Sequence, residues 1–435
     1  MPHVALIGAG SIAFARRLVT DLLCMDGVVP SRISLMDVDE ERLAVTEQLA
    51  RRVIAQKQLG VELVVTADTR RAVEGADYVV VSIRVGGWDP RPLDIGIPLR
   101  YGVDQSVGDT IGPGGIFQGL RNAPALLAIA DHMRQVAPDG IILQHSNPMA
   151  INCWLMSVAH PRVPHYGLCH SVQGTSKQLA GYMDVSYEEL GYWVAGIKPM
   201  AWFLRLERLR SGQTRAEDLY PLLRERMEDP QVYAKDTVRF EILRHFGHFV
   251  TESTWHMSEY VPYFRRTPEL MERYALKTRD MSQMANRWDD YAQKLLAELA
   301  SGEPIRAERT HEYTVDIIEA IETNRSCMVN VSVPNTGLIT NLPAGCAVEV
   351  PCIVDGLGVH PCHVGELPPQ LAALNEANVR SQALAVKAGL EGDREALRQA
   401  IMLDPLTAAL VPLHDIRAMV DEMLQAQMQW LPQFA

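Results

Sequence analysis

The chain opens on a run that leaves few choices of fold: the apolar stretch His3–Gly8 passes directly into Gly8-Ala9-Gly10-Ser11-Ile12-Ala13. A short apolar strand, a glycine turn and the start of a helix make the first half of a parallel strand–helix–strand unit. The two glycines permit a tight turn and let the backbone approach a pyrophosphate, whose charge the helix N-terminus stabilises. Ala13 stands where a third glycine is usual, and it is small enough for close helix–strand packing. Asp37 closes the next apolar run, where a carboxylate accepts both ribose hydroxyls and repels a 2′-phosphate. Asp39 is better placed to cap the helix that follows, which leaves Asp37 for the ribose. Gly8, Gly10, Ser11, Ile12 and Asp37 are therefore the expected contacts of NAD rather than NADP.

The same rhythm continues through the first half. Predicted strands are His3–Gly8, Ile33–Asp37, Val61–Thr66, Asp77–Ile83, Gly140–His145 and Val163–Cys169, with amphipathic stretches such as Glu40–Gln58 and Ile116–Val136 between them. Strands alternating with helices predict a parallel sheet covered on both faces. Arg84–Gly115 breaks the rhythm; rich in Gly and Pro and too long for a connector, it reads as a functional loop. After about residue 190 the pattern changes to paired strands (YWVAGI, MAWFLRLE), a helical stretch, two more strand-like runs and a helical end. We expect two joined domains, 1–190 binding the nucleotide and 191–435 supplying a mixed α+β substrate and oligomerisation domain.

Net charge of −12 argues against nucleic acid and anionic membrane surfaces as partners. No apolar run reaches the roughly 20 residues that cross a bilayer. The start lacks a basic n-region and cleavage site, and the seven cysteines are scattered without CxxC pairs. Such a chain is expected in the cytoplasm with reduced thiols.

Longer motifs then accumulate: GAGSIAF at 8–14, SIRVGGWDPR at 82–91, GPGGIFQGLRNAP at 112–124, HSNPMAI at 145–151, GLCHSVQGT at 167–175, TESTWHMSEYVPYF at 251–264, VNVSVPNTGLITNLPAGCAVEVP at 329–351 and DPLTAAL at 404–410. In this order they resemble glycoside hydrolase family 4, especially its α-galactosidase and α-galacturonidase branch, over nearly the whole chain. The resemblance implies a Rossmann-type, lactate-dehydrogenase-like α/β fold and an unusual reaction. NAD⁺ accepts a hydride from sugar C3, the resulting ketone acidifies the C2 proton, a base removes it, the aglycone leaves from C1, water adds, and the hydride returns. The net reaction is hydrolysis.

Members of the family hold a divalent metal, usually manganese, between the Cys of the GLC motif and the His of a G-I-N-H-M motif. Cys169 keeps the first ligand, but the second motif reads Gly196-Ile197-Lys198-Pro199-Met200. One thiolate is a poor site for manganese, which prefers several oxygen and nitrogen ligands. Lys198 is expected to supply the missing positive charge near the enolising carbons, so a metal is not required. In this respect the chain is similar to the NAD-dependent sulfoquinovosidases of family 188, which act on glycosides of a C6-sulfonated glucose.

The resemblance also suggests roles elsewhere. Tyr260 is expected to act as base on C2, lowered in pKa by a nearby cation, with His256 competing for the role. His170, following Cys169, is expected to protonate the leaving oxygen as an imidazolium. Asp109 corresponds to a family Glu near the substrate, and Asn147 is expected on the sugar hydroxyls. Ser82 and Arg84 are expected beside the cofactor. Arg84 shares with Arg91, Arg121 and Lys177 the chemistry for an anionic C6 group, with Trp255 adding an indole N–H. Each of these has a plainer reading as a surface or core residue. A homo-oligomer, dimer or tetramer, is expected. Two rivals remain: a metal-dependent α-galactosidase or α-galacturonidase on the same fold, and a 2-hydroxy-acid dehydrogenase, which would share GAGS and Asp37 but accumulate NADH. A non-catalytic NAD sensor would tolerate loss of Tyr260 and Lys198.

Overall fold

The computed structural model describes residues 1–25, 27–209, 216–279, 282–310 and 312–435, with the backbone alone for 282–290. Strands β1 (His3–Ile7), β2 (Arg32–Met36), β3 (Glu62–Thr66), β4 (Tyr78–Val81), β5 (Ile141–Gln144) and β6 (His165–Gly167) lie parallel in the order β3-β2-β1-β4-β5-β6. These are the six strands expected from the sequence. Strand β1 is buried on both faces, Val4 and Leu6 in one core and Ala5 and Ile7 in the other. Helices on both faces thus account for its continuous rather than alternating apolar run. Between β1 and β4 the order reverses, which opens a crevice at the carboxyl ends of the strands.

The sheet continues beyond β6. Strands β7 (Leu190–Ile197), β8 (Met200–Arg208), β9 (Glu217–Asp218), β10 (Cys327–Pro334) and β11 (Ala347–Asp355) extend it as β6-β10-β11-β7-β8-β9, antiparallel throughout, and β12 (Gly358–Pro361) flanks β11. The second, α+β part of the molecule is therefore built onto the edge of the first sheet. Helices late in the chain return to the first half: Leu397, Ile401, Met419 and Met423 share a core with Val79, Ile116, Phe117 and Leu126. Residue 190, near which a boundary is expected, is the first of β7, and these late helices pack against the first half of the chain.

One expectation is corrected. Arg84–Gly115 is not a plain loop: it contains the helix Arg91–Arg100, and the helix expected from Ile116 begins at Gly112. Pro92 and Pro113 occupy first-turn positions, where the missing N–H has no partner to lose. Gly114 is required by contact, since a Cβ there would stand 2.6 Å from the Gly108 carbonyl oxygen. Among the described residues no helix is long and apolar enough to cross a membrane, and the seven cysteines are free.

Candidate active site

The nucleotide cradle is assembled from the ends of β1, β2 and β4. Gly8 has φ +92, and a Cβ on it would stand 2.1 Å from the Ser82 carbonyl oxygen, so only glycine fits. A Cβ on Gly10 would meet the Asp37 carboxyl at 2.7 Å. Asp37 accepts the Gly10 N–H at 2.7 Å and the Asp39 N–H at 2.9 Å, leaving each oxygen a free lone pair. Asp39 caps the helix Glu40–Lys57, as its position suggests. Ser11 precedes the helix Ile12–Leu22 without a side-chain cap; the N–H groups of Ser11, Ile12 and Phe14 bond to backbone carbonyls, and the Ala13 N–H is left for an anion. The glycines, the open helix end and the carboxylate fit a dinucleotide.

The other wall is brought in by strand register. Gly167 of β6 pairs with Ser332, Ser332 with Glu349, and Glu349 with Gly196 of β7. This ladder sets the end of β7 level with the end of β6, two strands away, and the Lys198 side chain reaches Ser171 in the turn after β6. Lys198 is 2% exposed, and its ammonium donates to Ser171 Oγ at 3.1 Å and ion-pairs with Glu252. Lys198 is thus a buried charge and not a solvated one.

Across the cleft, His256 Nδ1 lies 2.9 Å from Ser253 Oγ and 3.6 Å from Glu252 Oε2. Burial, and then the charges of Lys198 and the nearby arginines, bring its pKa down to about 4 against the pull of Asp109, so the ring is neutral at pH 7. Burial opposes ionisation of Asp109, but Arg91, Arg84 and His256 outweigh it and hold its pKa below the usual value. Arg84 Nη2 lies 3.7 Å from Asp109 Oδ2, with the guanidinium over the Trp88 ring at 4.5 Å. Its Nη1 is buried without a hydrogen bond, and burial lowers its pKa to about 10. The Asn147 side chain takes no hydrogen bond from the described residues; only its carbonyl is engaged, by Gln118 and Asn122.

Several expectations change. Arg91 donates to the carbonyls of Val107 and Gly108, and Arg121 makes a bidentate pair with Asp94 at 2.6 and 2.8 Å. Both are 1% exposed and hold the fold together; neither is free to bind a C6 anion. Tyr260 is fully buried, and burial, followed by the Glu259 carboxylate, pushes its pKa well above 10. A cation lowering that pKa is therefore not what this environment supplies. Its hydroxyl makes no hydrogen bond of good geometry, and Thr110 is the side chain within its reach. His170 lies at the mouth of a cleft with Arg17, Lys177 and Glu312, its Nδ1 3.9 Å from Glu312. Partial desolvation, then Lys198 and Arg17, lower its pKa, which disfavours the expected imidazolium at pH 7. Lys177 is exposed with its ammonium over the Tyr187 ring at 5.6 Å, and Trp255 is 42% exposed.

Sequence reasoning missed three carboxylates. Glu252 stands in the Lys198 pair. Glu259 accepts the N–H groups of Val107 and Gly108 and so holds the loop that carries Asp109. Glu349 is 1% exposed, has an oxygen without a partner, and is raised in pKa by burial against the pull of Lys198. All three lie inside quoted motifs; for Glu349 the signal was a charged residue within an apolar run, CAVEVP, while Glu252 and Glu259 stand among polar neighbours that give none. Pro199 has no donor and an ammonium occupies its neighbourhood. Among the described residues no group of three or more His, Cys, Asp or Glu is placed to hold a metal.

Comparison with known proteins follows this geometry. A family model described as "Family 4 glycosyl hydrolase" matches residues 3–185, and one described as "Family 4 glycosyl hydrolase C-terminal domain" matches residues 194–407. An alpha-galactosidase of Bacillus subtilis is 36% identical over 438 residues, spanning 100% of both chains. An alpha-galactosidase of Rhizobium meliloti is 35% identical over 446 residues, spanning 99% of this chain and 89% of that one. A 6-phospho-alpha-glucosidase from gut microorganisms, solved in complex with NAD and Mn²⁺, shares the fold with a TM-score of 0.83 over 100% of both chains, at 20% identity.

Proposed function

The chain belongs to the family 4 glycosyl hydrolases, and on that premise we propose that it is an NAD-dependent glycosidase in which Lys198 replaces the metal, acting on a glycoside with an anionic C6 group such as a sulfoquinovoside. The observation that carries this reading is the buried Lys198 ammonium beside Cys169–Ser171, with Pro199 next to it. NAD⁺, held by Gly8, Gly10, Ser11, Ile12 and Asp37 with Ser82 behind the turn, accepts a hydride from the sugar and returns it. Lys198 stabilises negative charge on the sugar oxygens while the C2 proton is withdrawn. The neutral His256 ring takes that proton; Tyr260, the competing acceptor, is held protonated by burial and could serve only after losing its own proton. His170 donates an N–H toward the leaving oxygen, and Asn147 and Asp109 bind sugar hydroxyls. The anionic C6 group is supported by Arg84, whose buried Nη1 has no hydrogen bond.

A second reading, a metal-using α-galactosidase, is favoured by the two relatives of 36% and 35% identity. A panel of nitrophenyl glycosides (sulfoquinovoside, α-galactoside and α-galacturonide) assayed with NAD⁺ and a chelator separates them. Turnover of the sulfoquinovoside without metal is expected. Turnover of the galactoside only after manganese is added would overturn the proposal.

A further inference from the structure

The Lys198 ammonium is paired with a carboxylate to which the proposed reaction gives no task. Glu252 is 8% exposed; its Oε1 pairs with the Lys198 ammonium, and its Oε2 stands 3.6 Å from His256 Nδ1. Neutralising a buried lysine would need one oxygen, yet the second is turned to another polar side chain of the site. The backbone on either side is tied down. Thr251 N–H donates to the Ala201 carbonyl at 2.9 Å, and the Thr251 carbonyl accepts Thr175 Oγ1 at 2.6 Å. On the other side, Ser253 caps the helix Thr254–Tyr260 that carries His256. Glu252 thus stands at the junction of three elements: β8, the helix Ser171–Met183 and the helix of His256.

The geometry points to Glu252 as the positioning residue for Lys198. One fixed carboxylate sets where the ammonium stands, and so where it meets the sugar, while its second oxygen lies 3.6 Å from the His256 ring that Ser253 Oγ holds at 2.9 Å. A lysine carries its charge on a flexible four-carbon stem. Displacement of a reacting group by about 1 Å can cost about 10²-fold in rate. Ser171 Oγ supplies one contact to the ammonium and Glu252 the charged one. The inference rests on the reading of Lys198 given above.

A double-mutant cycle on the full chain with NAD⁺ tests it, using whichever nitrophenyl glycoside the wild type turns over. Glu252→Gln is expected to lower kcat at least ~10-fold while KM and NAD⁺ affinity change little. Glu252→Asp, which keeps the charge but shortens the reach, should recover part of that loss. In a Lys198→Ala background, Glu252→Gln should add little further loss. An equal loss in both backgrounds, or no loss in either, overturns the inference. If Lys198→Ala itself retains wild-type kcat, it is the reading of Lys198 that fails.

Discussion

Pro199 has no side-chain donor, while Lys198 before it carries a full charge into a pocket that water barely reaches. Removing such a preorganised charge typically costs on the order of 10²–10³ in rate. Lys198→Ala should lose that much kcat yet bind NAD⁺ as the wild type does; retention of activity within a few-fold would count against its role. Asp37→Ala should erode the preference for NAD⁺ over NADP⁺, measured as the ratio of their dissociation constants, because the carboxylate both binds the ribose and repels a 2′-phosphate. An unchanged ratio would remove Asp37 from that role. The glycines and Asp37 were legible because a close backbone approach restricts residue type at fixed spacing. The arginines were not. Arg91 and Arg121 sit in the expected motifs, but whether a guanidinium faces a ligand or Asp94 depends on three-dimensional neighbours that spacing does not report.

At the scale of elements, strands were more legible than the segment between β4 and β5. Parallel strands buried on both faces announce themselves as apolar runs, whereas proline and glycine conceal a helix when they fall in its first turn or at a tight contact. The loop Val107–Gly108 is held by Glu259, whose pKa burial raises to about 7. The sign follows from linkage: the folded chain keeps a proton that an ordinary Glu releases near 4.5. The stabilisation due to this group is therefore complete below about 4.5 and declines as pH rises toward 7. The stability of wild type minus that of Glu259→Gln, from urea unfolding, should fall across that window. A difference that stays level or grows would contradict the assignment.

Across the whole molecule, a single sheet carries the site. The two walls of the cleft belong to distant parts of the chain, and the ladder Gly167–Ser332–Glu349–Gly196 brings them together. Non-local pairing of this kind is not reported by spacing, which is why Glu252 went unnoticed while the glycines and Asp37, set at fixed spacing within the first 40 residues, did not. On the reading proposed above, the glycine turn, the Lys198 pair and the neutral His256 ring serve proton and charge movement on a sugar beside the place for a dinucleotide. The most direct test is turnover of a glycoside in D₂O with NAD⁺ and a chelator present. The account predicts deuterium at C2 of the released sugar, at an undiminished rate; hydrogen retained at C2, or activity that returns only with manganese, would contradict it.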